Sequence, residues 1–273
     1  MEAVRKVRSQ QATAVAERFV SSRLKATALP DFPGVLPADL AAAYVIQDAA
    51  IDMFPDEVAG WKIGGIPPAH QAKLGAKALG GPVFRKDVRY AGSGSIVEYG
   101  VFVGGFAAVE AEFMFEIGDD APVGRTTYTT ADAMGLVKRM MCGIETAGSP
   151  LATINVIGPL AVVSDFGNNN GIIVGAEVPN WRDRALSELV VETSIDGKLV
   201  GAGSAANMAG GPIEPLRFVA ELCARRGIPL KAGMIVTTGA VTGIHDVVPG
   251  ELARVEFKDL ATIQCVAVPR QQR

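Results

Sequence analysis

From about residue 82 onward the chain reads as short β-branched runs separated by Gly, Pro, Asn and Asp, whereas the residues before it read as mainly helical. Candidate strands fall at 95–103, 109–117, 156–164, 171–174, 189–195, 198–201, 235–238, 254–257 and 262–268. Asp196-Gly197 is a strong hairpin signal, because both residues tolerate positive φ. Helical patterns interrupt the strands only at 131–141 and at 214–226, the second stopped by Gly227. Strands and helices that do not alternate regularly disfavour a doubly wound sheet or a TIM barrel. The fold class is therefore α+β, with a helical N-terminal segment packed on a mixed, strongly curved β core. The simplest division is a mainly helical subdomain at 1–80 and a β-rich core at 81–273, or one continuous domain.

The N-terminal part predicts two helices. The first lies in 1–29, with Val15, Phe19 and Leu24 on one face; the second spans 40–53, with Asp39 as N-cap. Trp61 to Gly65 predicts a short strand ending in glycine. The stretch 154–163 is the most apolar later segment, but it is far shorter than the roughly 20 residues a bilayer span requires. It predicts a core strand. No signal-peptide pattern is present, and the default expectation is a soluble cytoplasmic protein.

Composition narrows the chemistry. With 49% apolar residues and a net charge of −3, the chain is neither a disordered polymer nor a basic nucleic-acid binder. Only His70 and His245 occur, with Cys142, Cys223 and Cys265 at spacings that match no zinc or disulfide pattern. Catalysis, if present, falls to carboxylates, Lys and hydroxyls.

The segment Val109-Glu110-Ala111-Glu112-Phe113 is the most chemical in appearance. On a strand, Glu110 and Glu112 project to one face. Two adjacent carboxylates need a cation or a shared proton, and a hard ion such as Mg²⁺ or Mn²⁺ prefers such oxygen ligands. A solvated strand face gives the same pattern, so the pair alone leaves both readings open. A third acid, Glu145, sits in an apolar run after the helix at 131–141, where a strand-end surface position is equally open.

Tyr44-Val45-Ile46-Gln47, Gly60-Trp61-Lys62-Ile63-Gly64, Gly81-Pro82-Val83-Phe84 with Asp87, the Glu110/Glu112 pair and Ile144-Glu145 follow one another in a telling order. Gly201-Ala202-Gly203, the segment from Gly227 to Gly233, and Thr238-Gly239 with Thr242 continue it. In this order and spacing the chain resembles the 2-keto-4-pentenoate hydratase / 4-oxalocrotonate decarboxylase family, within the fumarylacetoacetate hydrolase superfamily, over about residues 10–268. The resemblance implies a β-roll of the fumarylacetoacetate hydrolase type and a divalent ion, Mg²⁺ or Mn²⁺, on Glu110, Glu112 and Glu145. It further implies Lys62 and Asp87 as catalytic groups, with Asp87 a partner for Lys62 or for water. Thr238, Gly239 and Thr242 would line the substrate end.

The implied activity is that of a metal-dependent lyase on a small 2-keto acid or 2-hydroxy-dienoate, hydration foremost. The ion would stabilise an enolate as a Lewis acid. Decarboxylation of a 2-oxo-dicarboxylate, acylpyruvate-type C–C hydrolysis and a catalytically silent binding protein are the alternatives. A homo-oligomer is expected, with no nucleic-acid or membrane partner. The chain departs from the family around the pocket: Thr146-Ala147-Gly148-Ser149 replaces Val-Asp-Ser-Arg, Asp165-Phe166-Gly167-Asn168 replaces Asp-Asn-Ala-Ser, and Ile66-Pro67 replaces Thr-Ser.

Overall fold

The computed structural model describes residues 2–273, with side chains from Gln10 onward. The N-terminal half runs α1 (Glu2–Lys25), α2 (Leu40–Met53), β1 (Val58–Gly65), α3 (Pro68–Leu74), β2 (Ala78–Phe84), β3 (Val88–Tyr90), β4 (Ile96–Val101), β5 (Phe106–Ile117) and α4 (Thr130–Gly135). Next come β6 (Val137–Ser149), α5 (Ile154–Ile157), α6 (Pro159–Ser164), β7 (Asn169–Glu177), β8 (Val190–Ile195) and β9 (Lys198–Ser204). The chain finishes with α7 (Ile213–Arg225), β10 (Ile235–Thr237), β11 (Ile244–Asp246), β12 (Leu252–Phe257) and β13 (Ala261–Pro269).

Two mixed sheets form the curled core. The larger has the order β2-β1-β10-β5-β6-β7-β3, with β11 also on β5; the smaller has the order β4-β13-β12-β8-β9. Phe113, Phe115, Val236 and Trp61 of the first sheet, Val255, Phe257 and Ile263 of the second, and Leu216 and Val219 of α7 share one apolar core. A second cluster packs α1, α2 and α6 over Phe84 and Phe166. The architecture is thus the α+β arrangement expected, helices against a mixed, curved β core. Strand β1 precedes residue 80 and β2 runs through it, and both belong to the same sheet as the later strands. Among the described residues, no helix is long and apolar enough to cross a membrane.

Local signals hold where they were strongest. Asp39 caps α2 by accepting from Ala42 N–H at 2.8 Å. Asp196 and Gly197 turn the β8–β9 hairpin at φ 48° and 79°, and Gly227 follows α7 at φ 76°. Two expectations fail. The apolar run expected as a strand at 156–164 is instead the short helices α5 and α6. Gly158, at φ 104°, breaks the chain direction, and Pro159 starts α6, where its missing N–H costs nothing. The helix expected over 131–141 stops at Gly135, and Val137 begins β6. There the β-branched and sulfur-containing residues gain ladder bonds to both β5 and β7, which outweigh helix propensity.

The contact that joins β1 and β2 to the rest of the sheet is parallel and long-range: Gly60 pairs with Ile235, and Trp61 with Val236. A Cβ on Gly60 would stand 1.9 Å from the Ile235 carbonyl oxygen. Gly60→Ala is therefore expected to cost about 3 kcal/mol or more, the upper range for overpacking. Urea denaturation checks it, and a loss below about 1 kcal/mol would show that the pairing yields freely.

Candidate metal centre

Alternation along β5 sorts its side chains. Ala111, Phe113, Phe115 and Ile117 face the apolar core, so Glu110 and Glu112 face the other side. Register then adds the third acid. Glu145 lies directly opposite Glu110 across the β5–β6 pair, and opposed residues project to the same face. Glu145 is mid-strand and fully buried, not a strand-end surface acid. One carboxylate oxygen from each of Glu110, Glu112 and Glu145 lies within 4.8 Å of the others.

Lys62 reaches this face by the same logic. Trp61 pairs with Val236 and Val236 with Phe115, all on the core side, so the next residue on β1 turns toward the acids. Its ammonium stands 3.2 Å from Glu145 Oε1. The stem runs past Gly167, where a Cβ would come within 3.3 Å of Lys62 Cδ.

Hydrogen bonds divide the carboxylate oxygens unequally. Glu112 Oε2 accepts from Thr238 N–H at 2.8 Å and from Gly239 N–H at 2.6 Å, while Oε1 is buried with no partner. Glu145 Oε1 faces Lys62 and accepts from Asn169 Nδ2 at 3.0 Å, while Oε2 is likewise buried and unpartnered. Leaving a buried carboxylate oxygen without a partner is expensive, so two such orphans on acids clustered with Glu110 form a site that could hold a cation. Three carboxylates and one ammonium carry a formal charge of −3 + 1 = −2, which a divalent ion would cancel. The residues present fit such an ion.

Electrostatics agree. Burial, then the field of Glu145, pushes the Glu110 carboxyl up to about 7, against the pull of Lys62. Burial and the two neighbouring acids hold Glu112 well above the usual carboxylate range. Burial alone would lower the Lys62 pKa, yet Glu145, Glu110 and Glu112 together outweigh it and hold the ammonium above its ordinary value. Without metal, then, Lys62 does not become the depressed amine that burial by itself would make. An acid whose folded pKa is raised stabilises the fold fully below its unfolded value, near 4.5, and loses that contribution as pH rises through the folded value. The melting temperature of the metal-free protein is therefore expected to fall between about pH 5 and pH 8 from this group. A flat profile in a calorimetric pH series would contradict the burial of an uncompensated acid.

Other expected site residues lie differently. Asp87 is buried, but it is held by Arg270, with Nη2 at 3.2 and 3.3 Å from its carboxylate oxygens, and by Arg273 and Arg89. No ion pair joins it to Lys62 among the described residues, because Lys62 spends its charge on Glu145. The donors of Thr238 and Gly239 are not free for a substrate: both N–H groups hold Glu112, and Thr238 Oγ1 donates to the Phe113 carbonyl. Thr242 hydrogen-bonds to Thr193 at 2.8 Å and lies 3.3 Å from His245 Nε2, so its hydroxyl links β8 to the segment that covers β5. A cavity of about 280 Å³ lies beneath Trp181, Leu186 and Ile213, away from the acidic cluster.

Two residues, one on the centre and one behind it, are not legible in the sequence. Asn169 is one of three consecutive asparagines, and nothing in their order singles it out. Arg23, on the buried face of α1 with Phe19, pairs with Asp165 at 2.5 Å and donates to the carbonyls of Asn169 and Gly148. A lone Arg at four residues from Phe19 on an apolar face was the available signal.

Comparison with known proteins follows the same lines. The 4-oxalocrotonate decarboxylase of Pseudomonas putida is 25% identical over 268 residues, covering 95% of this chain and 97% of the relative. A 2-keto-4-pentenoate hydratase of Dechloromonas aromatica is 28% identical over 232 residues, or 84% and 86% of the two chains. The solved structure of 4-oxalocrotonate decarboxylase from Pseudomonas putida G7, complexed with magnesium and adipate, superposes with a TM-score of 0.77 at 22% identity, covering 95% of this chain and 98% of that one. Residues 108–268, which include the three acids and the turn behind Glu112, match the family described as fumarylacetoacetate (FAA) hydrolase C-terminal, and the chain belongs to that family.

Proposed function

We propose that the protein is a divalent-metal-dependent lyase acting on a small 2-keto acid or 2-hydroxy-dienoate, with hydration as its reaction. The observation that carries this reading is the pair of buried, unpartnered oxygens on Glu112 and Glu145, converging with Glu110 beside Lys62. Glu110, Glu112 and Glu145 would hold the ion, Mg²⁺ or Mn²⁺. When bound, the ion supplies a Lewis acid that stabilises negative charge on a 2-oxo oxygen. Structural relatives with divalent ions support the metal reading: one is complexed with magnesium, another with Mn²⁺ and pyruvate.

The chain's own residues do the remaining work. The N–H groups of Thr238 and Gly239 fix Glu112. Lys62 places a positive charge beside Glu145, where it attracts a substrate carboxylate. Burial of all four side chains excludes bulk water and strengthens these fields.

Decarboxylation of a 2-oxo-dicarboxylate is the second reading, favoured by the nearly full-length similarity to a decarboxylase. It asks for a cationic seat for the distal carboxylate, and Arg85 and Lys86 do not provide one: Arg85 pairs with Glu57 on the surface, and Lys86 reaches the Pro55 carbonyl.

The test follows the ultraviolet absorbance of a 2-hydroxy-dienoate with and without Mn²⁺, in the wild type and in Glu110→Gln. Metal-dependent decay to a hydrated product, lost in the variant, is the expected result. CO₂ release from a 2-oxo-dicarboxylate with no hydration would select the second reading. Metal binding without turnover across a panel of such acids would favour a silent binding protein.

A further inference from the structure

The three acids do not offer their oxygens equally. Glu112 commits Oε2 to two backbone N–H groups, and Glu145 commits Oε1 to Lys62 and Asn169. Of the three, only Glu110 has neither oxygen taken by a donor among the described residues. Of the committed donors, Asn169 alone is a neutral side chain, and its placement is elaborate.

Phe166, Gly167 and Asn168 are three consecutive left-handed residues, at φ 55°, 68° and 62°. Such backbone costs on the order of 1–3 kcal/mol at each non-glycine residue and persists only when its surroundings over-determine it. Here they do. Arg23 and Asp165 clamp the start of the turn, and Arg23 Nη1 holds the Asn169 carbonyl at 2.9 Å. Gly81 admits the turn's backbone so closely that a Cβ there would stand 2.0 Å from the Phe166 oxygen. The turn delivers Asn169 with Nδ2 on Glu145 and Oδ1 accepting from Gly171 N–H at 3.0 Å. Neither end of that amide can swap without losing both bonds, so its orientation is fixed.

We infer that Asn169 is a positioning residue that, together with Lys62, reserves one oxygen of Glu145, and thereby biases which ion the centre prefers. The inference rests on the metal reading proposed above. With Glu112 and Glu145 limited to one free oxygen each, the protein offers few carboxylate oxygens. Mg²⁺ and Mn²⁺ accept a few carboxylates completed by water, whereas Ca²⁺ takes 6–8 oxygens and commonly uses both oxygens of a carboxylate. The centre therefore discriminates against Ca²⁺, and removing one of the two donors that hold Glu145 Oε1, the Asn169 amide beside Lys62, relaxes that discrimination.

The experiment titrates metal-stripped protein with MnCl₂ and with CaCl₂ by calorimetry, and compares the ratio of the two affinities. Wild type is expected to bind Mn²⁺ at least about 10-fold tighter than Ca²⁺. Asn169→Leu removes the amide altogether; Asn169→Asp keeps an acceptor for Gly171 N–H while abolishing the donor to Glu145. Both are expected to reduce the Mn²⁺/Ca²⁺ ratio at least about 5-fold, within the range that outer ligand-orienting groups command. A purely structural Asn169 would weaken both ions together and leave the ratio in place. An unchanged ratio in either folded variant overturns the inference, as does equal affinity for the two ions in wild type, a measurement that needs no variant. If wild type binds neither ion, the metal reading itself has failed.

Discussion

Glu112→Gln is expected to raise the melting temperature of the metal-free protein and to abolish the further rise produced by Mn²⁺. The two effects share one cause. Glu112 is fully buried, its pKa is driven up by burial and by Glu145 and Glu110, and one of its oxygens has no partner. A neutral amide of the same shape removes the cost of a third buried acid while its carbonyl still accepts from Thr238 and Gly239. The same change removes a ligand oxygen. In wild type, an ion at 100 times its Kd adds about 2.7 kcal/mol. At about 2–4 °C per kcal/mol for chains of roughly this size, the melting temperature should climb by about 5–10 °C. Differential scanning calorimetry with and without Mn²⁺ measures both effects. A variant that loses stability without metal, or that keeps the full Mn²⁺ response, would remove Glu112 from the centre.

Arg23→Met is expected to be the most damaging substitution outside the acidic cluster, at about 3–5 kcal/mol, the range for breaking a buried ion pair from one side. Asp165 is 1% exposed, and its remaining side-chain partner is Ser149 Oγ at 2.5 Å. Removing the guanidinium strands that carboxylate and also frees the carbonyls of Gly148 and Asn169. The guanidinium further stacks 5.1 Å from the Phe166 ring, at the start of the left-handed turn. In a double-mutant cycle with Asp165→Asn, the double variant should therefore recover part of the loss. Urea denaturation of the four proteins gives the coupling; additive losses would show that the two charges do not depend on one another.

How far the sequence carries can be judged residue by residue. The Glu110/Glu112 spacing is legible because strand alternation is strictly two-fold and the flanking Phe113 and Phe115 declare a buried face. Asp39, Asp196-Gly197 and Gly227 are legible because each satisfies a local backbone requirement. Glu145 needs the cross-strand register, which no local pattern supplies. The stretch 154–163 misleads because apolar residues alone do not distinguish a strand from a helix, and the decisive residues were Gly158 and Pro159. Resemblance located Lys62 and Asp87 equally well, yet only Lys62 joins the acids. Asp87 is claimed by arginines from the far end of the chain, a competition that spacing cannot reveal.

The parallel pairing of Gly60 with Ile235 has a temporal consequence. Lys62, the two acids of β5, Glu145, Asn169 and the Thr238–Gly239 turn meet only after the chain between residues 62 and 239 has closed on itself. Contacts of such separation form late, since loop-closure entropy precedes their reward. A nascent chain that has emerged only as far as β7 already holds all three acids but lacks the N–H groups that orient Glu112. An ion held by these acids would therefore be fully seated only once folding is complete, when the Thr238 and Gly239 N–H groups orient Glu112.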